Sequence, residues 1–255
     1  MAMLRSLAFV LVCLPPVTAD DAPFGQVAIG AFQQELTQGF GPWKGRVIDL
    51  SLNPWSNGKI LASVVGFERP EGNGTVFSIG KYQEFKGGYA YLGVGSSTGA
   101  DYLPTLQVAA DVNFQTPWTG WVLGGGVTQT RVRDGHENLI ALFGPAFYAG
   151  PTVTTARVYR NRSNPGGLES SGVLVQFRHG VKDHEAWQSL RITVGGEAYQ
   201  SLLVREAVHG RGLFVGLETF WPLRGGWNLQ AGVDWGEKFK AYRLWGGSLR
   251  VGHTF

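Results

Sequence analysis

The chain has 255 residues, with 22 basic and 19 acidic side chains, 38 glycines, 13% aromatic residues and only 16% charge. This near-neutral balance argues against a nucleic-acid partner, which needs a concentrated basic surface. One cysteine, Cys13, leaves no disulfide framework or cysteine metal site.

The first segment reads as a targeting sequence. Arg5 precedes an apolar run from Ser6 to Leu14, and Pro15, Pro16 and Val17-Thr18-Ala19 follow. A basic start, about nine apolar residues and a small residue at the end predict a secretory signal peptide cleaved near Ala19. Such a run falls short of the ~20 residues of a transmembrane helix. As a lipid-attachment site Cys13 would want a small residue before it, and Val12 stands there. The remaining 20–255 is expected to form one domain with 21 basic and 19 acidic residues, once Arg5 is gone.

Turn signals then recur at regular intervals. Strands are predicted near 25–37, 44–54, 58–69, 74–85, 88–97, 105–115, 120–132, 137–148, 151–161, 169–179, 186–198, 210–221, 226–236 and 242–255. That is fourteen, with twelve longer strands as the alternative, and the 236 residues divide into about 17 per strand and turn. A membrane-crossing strand takes about 9–11 of these. Leu106, Val108, Ala110, Val112 and Phe114 alternate with Gln107, Ala109, Asp111, Asn113 and Gln115. Period two gives each strand an apolar and a polar face. The pattern predicts an all-β, antiparallel, up-and-down transmembrane barrel, greasy outside and wet within. A secreted β-sandwich is the competing architecture.

Three turns share a chemistry: Asn53-Pro54-Trp55-Ser56-Asn57-Gly58, Thr116-Pro117-Trp118-Thr119-Gly120 and Trp221-Pro222-Leu223-Arg224-Gly225. Proline fixes φ at the entry and glycine is expected to supply a positive φ at the exit. With fourteen strands all three fall at one end, with both termini in the periplasm. Pro145 and Pro151 sit awkwardly in a closed ladder; Pro151 is expected at a strand start and Pro145 at a bulge or strand end. Asp49, Asp111, Arg157, Arg178, Arg191, Glu218, Asp234 and Arg250 are expected on a polar lumen wall, because a basic residue facing mid-bilayer costs ~2–4 kcal/mol.

The last strands carry the membrane signature. Trp227, Leu229, Ala231, Val233 and Trp235 alternate with polar or small residues. Two indoles eight residues apart span roughly 26 Å of strand, or ~20 Å of membrane normal at a ~40° tilt. With Trp221 they are expected at the membrane interfaces. Leu249, Val251, His253 and Phe255 end the chain on an aromatic, which resembles the terminal assembly signal of bacterial outer-membrane barrels, with His253 where a tyrosine is usual.

Further motifs sit in the middle of the chain. They are Gly88-Tyr89-Ala90-Tyr91-Leu92-Gly93-Val94-Gly95, Ala100-Asp101-Tyr102-Leu103-Pro104, Gly120-Trp121-Val122-Leu123-Gly124-Gly125-Gly126, and Phe147-Tyr148-Ala149-Gly150-Pro151 leading to Arg157-Val158-Tyr159-Arg160. The pattern they make, over roughly residues 44–255, resembles the YaiO-type outer-membrane β-barrel family. The resemblance implies an outer-membrane location. Related barrels form terminal domains of proteins linked to exopolysaccharide export and of a phage adsorption protein. It carries over no catalytic residues and no cofactor.

No enzymatic or metal motif stands out. His136-Glu137 lacks a second histidine four positions on and reads as part of a solvated polar loop, as does Asp183-His184-Glu185. Gly124-Gly125-Gly126 reads as close packing within a strand. Ser170 or Ser171 with His209, or Ser201 with His209, are the pairs a lipid-modifying acyl hydrolase could use, and Tyr199–His209 is expected to be the longest loop. The leading expectation is a conduit or export component for a polar substrate such as an exopolysaccharide. A surface docking or structural barrel is the alternative. Expected partners are outer-membrane lipid, the barrel assembly machinery, and a glycan or a periplasmic export partner.

Overall fold

The computed structural model describes residues 23–180, 185–200, 207–238 and 242–255, with only the backbone of 197–200 and 207–210. The predicted signal peptide, 1–19, therefore lies outside the described residues. Fourteen strands follow in chain order: β1 Gly25–Leu36, β2 Trp43–Trp55, β3 Gly58–Arg69, β4 Gly72–Phe85, β5 Gly88–Gly99, β6 Pro104–Gln115 and β7 Trp121–Val132. The second half comprises β8 Glu137–Ala149, β9 Thr152–Asn164, β10 Leu168–His179, β11 Trp187–Gln200, β12 Ala207–Pro222, β13 Trp227–Lys238 and β14 Tyr242–Thr254. Each pairs antiparallel with its chain neighbours, and β1 pairs with β14 to close the barrel. Reciprocal bonds of 2.9 Å between Gly25 and Phe255 finish the seam, where Phe24 and Phe255 pack at 6.3 Å. No sheet edge is left, so every strand finds both its hydrogen-bonding neighbours.

The apolar rows point outward. Ile29, Ile48, Leu92, Phe143, Val158, Val233 and Leu249 are all more than half exposed, while alternate residues are buried or half-buried. An internal core would bury these side chains, so the sandwich alternative fails. Aromatics gather at the end that holds the termini, called the near end here. Trp55, Phe85, Phe114, Trp118, Trp121, Phe147, Trp221, Trp227 and Phe255 are exposed there, with Trp235 and Trp245 paired toward the far end. His253 lies in the same outward row, its ring edge-on to Trp227 at 5.1 Å.

The structure corrects four details. Gly120 and Gly225 take positive φ, 78° and 68°, but Gly58 does not. It pairs with Trp55 across a two-residue turn, and a register shift between Leu52 and Trp55 absorbs Pro54. Pro145 sits inside β8 without a bulge: the β8–β9 pairing lapses at Gly144 and Pro145 and resumes in the same register. The missing N–H faces that lapse. Pro151 stands in the turn just before β9. Both ends of the expected loop from Tyr199 to His209 are strand, since Ala198 pairs with His209 and Gln200 with Ala207, and residues 201–206 lie outside the described residues.

Glycine inside the strands makes room for large inner side chains. Gly80 and Gly93 are paired neighbours on β4 and β5, and the Tyr91 ring lies over both. A Cβ at Gly80 would sit 2.7 Å from that ring, and one at Gly93 2.8 Å. Phe214 covers Gly236 in the same way, its ring overlapping the place of a would-be Cβ. Gly80→Ala should therefore destabilise the barrel by about 1–3 kcal/mol, and most of that cost should vanish in a Tyr91→Ala background. Urea unfolding of the two single variants and the double variant measures this coupling.

Candidate functional site

The inner wall is layered along the barrel axis. At the far end two apolar clusters face inward: Leu36, Trp43, Tyr242 and Leu244, packed with Phe40 and Phe214, and Phe67, Val76, Tyr102 and Leu103, packed with Phe32. Arg69 joins them, its guanidinium 4.1 Å from the Trp43 ring centroid and 4.5 Å from that of Tyr102. A cation over two aromatic faces holds this layer together electrostatically as well as by burial. Tyr102 donates to the Gly72 carbonyl at 2.9 Å. Burial raises its phenol above the ordinary value, against the opposing pull of Arg69, so the donor stays protonated. At the near end Tyr82, Tyr89, Val122, Ala146 and Val153 form a third cluster.

Between these layers lie the charges. Arg157 on β9 reaches Asp111 and Asn113 on β6, three strands away. On a cylinder such a span is made across the concave inner side. Glycines clear its path. Asn113 pairs with Gly124, which pairs with Gly144, and Arg157 follows in the β8–β9 register. A Cβ at Gly144 would stand 2.8 Å from the Arg157 Cα, and one at Gly126 2.5 Å from Asp111 Oδ2. The triple-glycine run thus has a side-chain reason: Gly124 and Gly126 floor an ion pair. At 2% and 6% exposure, Asp111 and Arg157 are shut away from water.

The opposite wall is wet. Arg250 on β14 lies 3.7 Å from Asp49 on β2 and 3.9 Å from Glu218 on β12. Arg191 on β11 faces Asp234 on β13 at 3.9 Å. Ser63 donates to Asp49 and Gln230 to Glu218, both at 2.6 Å. Each ion pair skips one strand, again across the concave side, while the two hydrogen bonds join adjacent strands. These five charged side chains are 31–42% exposed, so water reaches them. Arg178 stands apart near the near end, donating to the Gly180 carbonyl at 2.9 Å and lying 4.6 Å from the Trp187 ring, which stacks on Phe220.

The eight expected wall residues therefore divide into a dry pair (Asp111 with Arg157), a wet strip (Asp49, Arg191, Glu218, Asp234, Arg250) and the near-end Arg178. Sequence reading missed the Arg69 cage and Asn113. The spacing of Gly124, Gly126 and Gly144 was the signal for the second. His136 corrects the solvated-loop expectation: it is 2% exposed, 2.9 Å from Asp134. The hydrolase pairs find no support in the register. Gly172, beside Ser171, pairs with Gly195, which pairs with Gly212. Ser171 and His209 are thus two strands apart, roughly 10 Å, and offset along the barrel. Ser201 and Asp183-His184 lie outside the described residues.

Comparison with known proteins agrees with this geometry. The family model of the YaiO membrane β-barrel domain matches residues 25–200. The CymD monoaromatic hydrocarbon channel has 6% sequence identity and a TM-score of 0.64, covering 92% of this chain and 89% of its own. CdiB from Acinetobacter baumannii has 10% identity and a TM-score of 0.53, with 91% and 60% covered. A bacterial polysaccharide outer membrane secretin has 8% identity and a TM-score of 0.52, with 92% and 100% covered. At such identities the likeness is one of fold. No curated protein matches the sequence. The family and the fold together place the protein in the outer membrane.

Arg157→Met should cost about 3–5 kcal/mol, because it strands the Asp111 carboxylate in a dry site. Asp111→Leu combined with Arg157→Met should recover most of that loss. Chemical unfolding followed by tryptophan fluorescence reads both.

Proposed function

The chain belongs to the YaiO family of membrane β-barrel domains, and on that footing we propose that it is a conduit or export component for a polar substrate such as an exopolysaccharide. The wet strip of Asp49, Arg191, Glu218, Asp234 and Arg250 carries the reading. Mixed charges held in skip-strand pairs, two basic against three acidic, offer a passing glycan hydrogen-bond donors and acceptors with little net field to trap it. No covalent step is assigned to any residue. In this reading the near end faces the periplasm, where an export partner would deliver the substrate. The far end opens outside, and the signal peptide is removed on secretion. The outward row Leu249, Val251, His253 and Phe255 serves recognition by the barrel assembly machinery.

The aromatic layers at the two ends bear on how such a lumen would work. Trp43, Tyr242 and the Arg69 cage stand on the inner wall at the far mouth, where in this reading they narrow it. A hydrophobic constriction of this kind gates by excluding water. The same packed mouth favours the second reading, a docking or structural barrel whose closed top presents its loops to an outside partner.

Reconstitution in planar bilayers separates the two. A conduit should give stepwise conductance, raised about twofold or more when Trp43→Ala and Tyr242→Ala open the constriction. Absence of conductance in both proteins would remove the conduit reading.

A further inference from the structure

The two ends of the outer wall differ in chemistry. The near end presents aromatics. The far end, away from Trp235 and Trp245, presents charge. Arg131 on β7 and Arg160 and Arg162 on β9 occupy the outward positions of strands whose inward neighbours Thr130, Val132, Asn161 and Ser163 are buried. Arg160 lies eight residues beyond Thr152, and Arg131 and Arg162 lie ten beyond Trp121 and Thr152. That is at least the eight-residue spacing from Trp227 to Trp235, so the guanidinium groups stand at or above the top of the apolar band. A level deeper in the bilayer would cost ~2–4 kcal/mol for each.

The three arginines are not all neutralised. Arg131 pairs with Glu137 at 2.9 Å and Arg160 with Glu169. Arg162 stands opposite Glu169 in the β9–β10 register, but among the described residues it forms no ion pair, and Glu169 is held by Arg160. It lines a cavity of about 260 Å³ on the outer wall with Gln129, Glu137, Asn138, Leu139 and Asn164. That is roughly the volume of eight or nine liquid waters, and its lining holds the Arg162 cation, the Glu137 carboxylate and three side-chain amides. Leu139 is level with Arg162 as its register partner, and below it on the same face lie Phe143 and Val158, all well exposed. Cationic and amide groups above a greasy wall match one kind of molecule, an anionic headgroup carrying acyl chains.

We propose that the outward far end of β7–β10 is a binding site for a phosphorylated glycolipid of the outer leaflet. Arg162 receives the phosphate, with Arg131 and Arg160 flanking it. Arginine suits the task because its planar donors meet two phosphate oxygens at once. Glu137 and Glu169 hold the flanking guanidinium groups in ion pairs, so little side-chain freedom is lost on binding. The acyl chains continue down Leu139, Phe143 and Val158. A free phosphate would have no use for that lower half. The site lies outside the lumen and does not depend on whether the barrel conducts.

The test uses the full-length barrel, purified from outer membranes, stripped of lipid by detergent exchange, and checked for folding by heat-modifiable gel mobility. Bisphosphorylated lipid A is titrated and followed by native mass spectrometry, beside its enzymatically dephosphorylated form and inorganic phosphate. Replacing Arg131, Arg160 and Arg162 by Gln together should weaken binding about a hundredfold, roughly fivefold per arginine. Arg162→Gln alone, which breaks no ion pair, should weaken it about fivefold and keeps the test decisive if the triple variant does not fold. Arg46→Gln with Arg243→Gln, at the rim elsewhere, should leave binding unchanged. Inorganic phosphate should compete only weakly. Equal binding of the phosphorylated and dephosphorylated lipids, or a full effect from the Arg46 and Arg243 changes, would overturn the proposal. Full competition by inorganic phosphate would do the same, leaving an anion site with no lipid specificity.

Discussion

A bilayer offers no water to an unpaired peptide group, and the closed hydrogen-bond ladder is this chain's answer to that constraint. Once β1 pairs with β14, every strand has two partners and its side chains need only sort by face. The outer face can then be apolar without forming a core. The inner face is released from the demand for continuous hydrophobic packing and carries charge, aromatics and glycine in layers. The outer-membrane location and the candidate functions all presuppose that closure.

Within the ladder, glycine organises the interior. Arg157 can cross two strands to Asp111 and Asn113 because Gly124, Gly126 and Gly144 leave a flat floor. Tyr91 and Phe214 lie flat on their neighbours for the same reason. Each case pairs a long or wide side chain with a missing one on the neighbouring strand. The high glycine content is therefore tied to the volume of the inner side chains more than to the turns. It also divides the lumen: the β6–β9 wall is filled and dry, while the wall from β11 around to β2 leaves its ion pairs in reach of water.

The outer wall is asymmetric for reasons of solvent. Indole and phenyl rings suit the headgroup level at the near end. At the far end arginine–glutamate pairs take that place on β7–β10, while Trp235 and Trp245 hold it on β13 and β14. Long charged side chains rise into a polar layer that attracts them, and their apolar stems still cover the wall.

Period-two alternation made the fourteen strands and the outward rows legible, because a strand between lipid and lumen must change polarity at every residue. Leu249, Val251 and Phe255 could be placed outward from the terminal repeat alone. What alternation does not encode is distance between strands that are not neighbours. That Arg157 would find Asp111 three strands away, that Arg250 would stand between Asp49 and Glu218, and that Arg69 would settle against Trp43 and Tyr102 depend on register and curvature. Pro145 shows the same limit, since its missing donor matters only relative to the partner it faces. The linear chain determined which face each side chain takes; closure of the cylinder decided which of them meet, because only a curved wall brings distant strands within reach of one guanidinium.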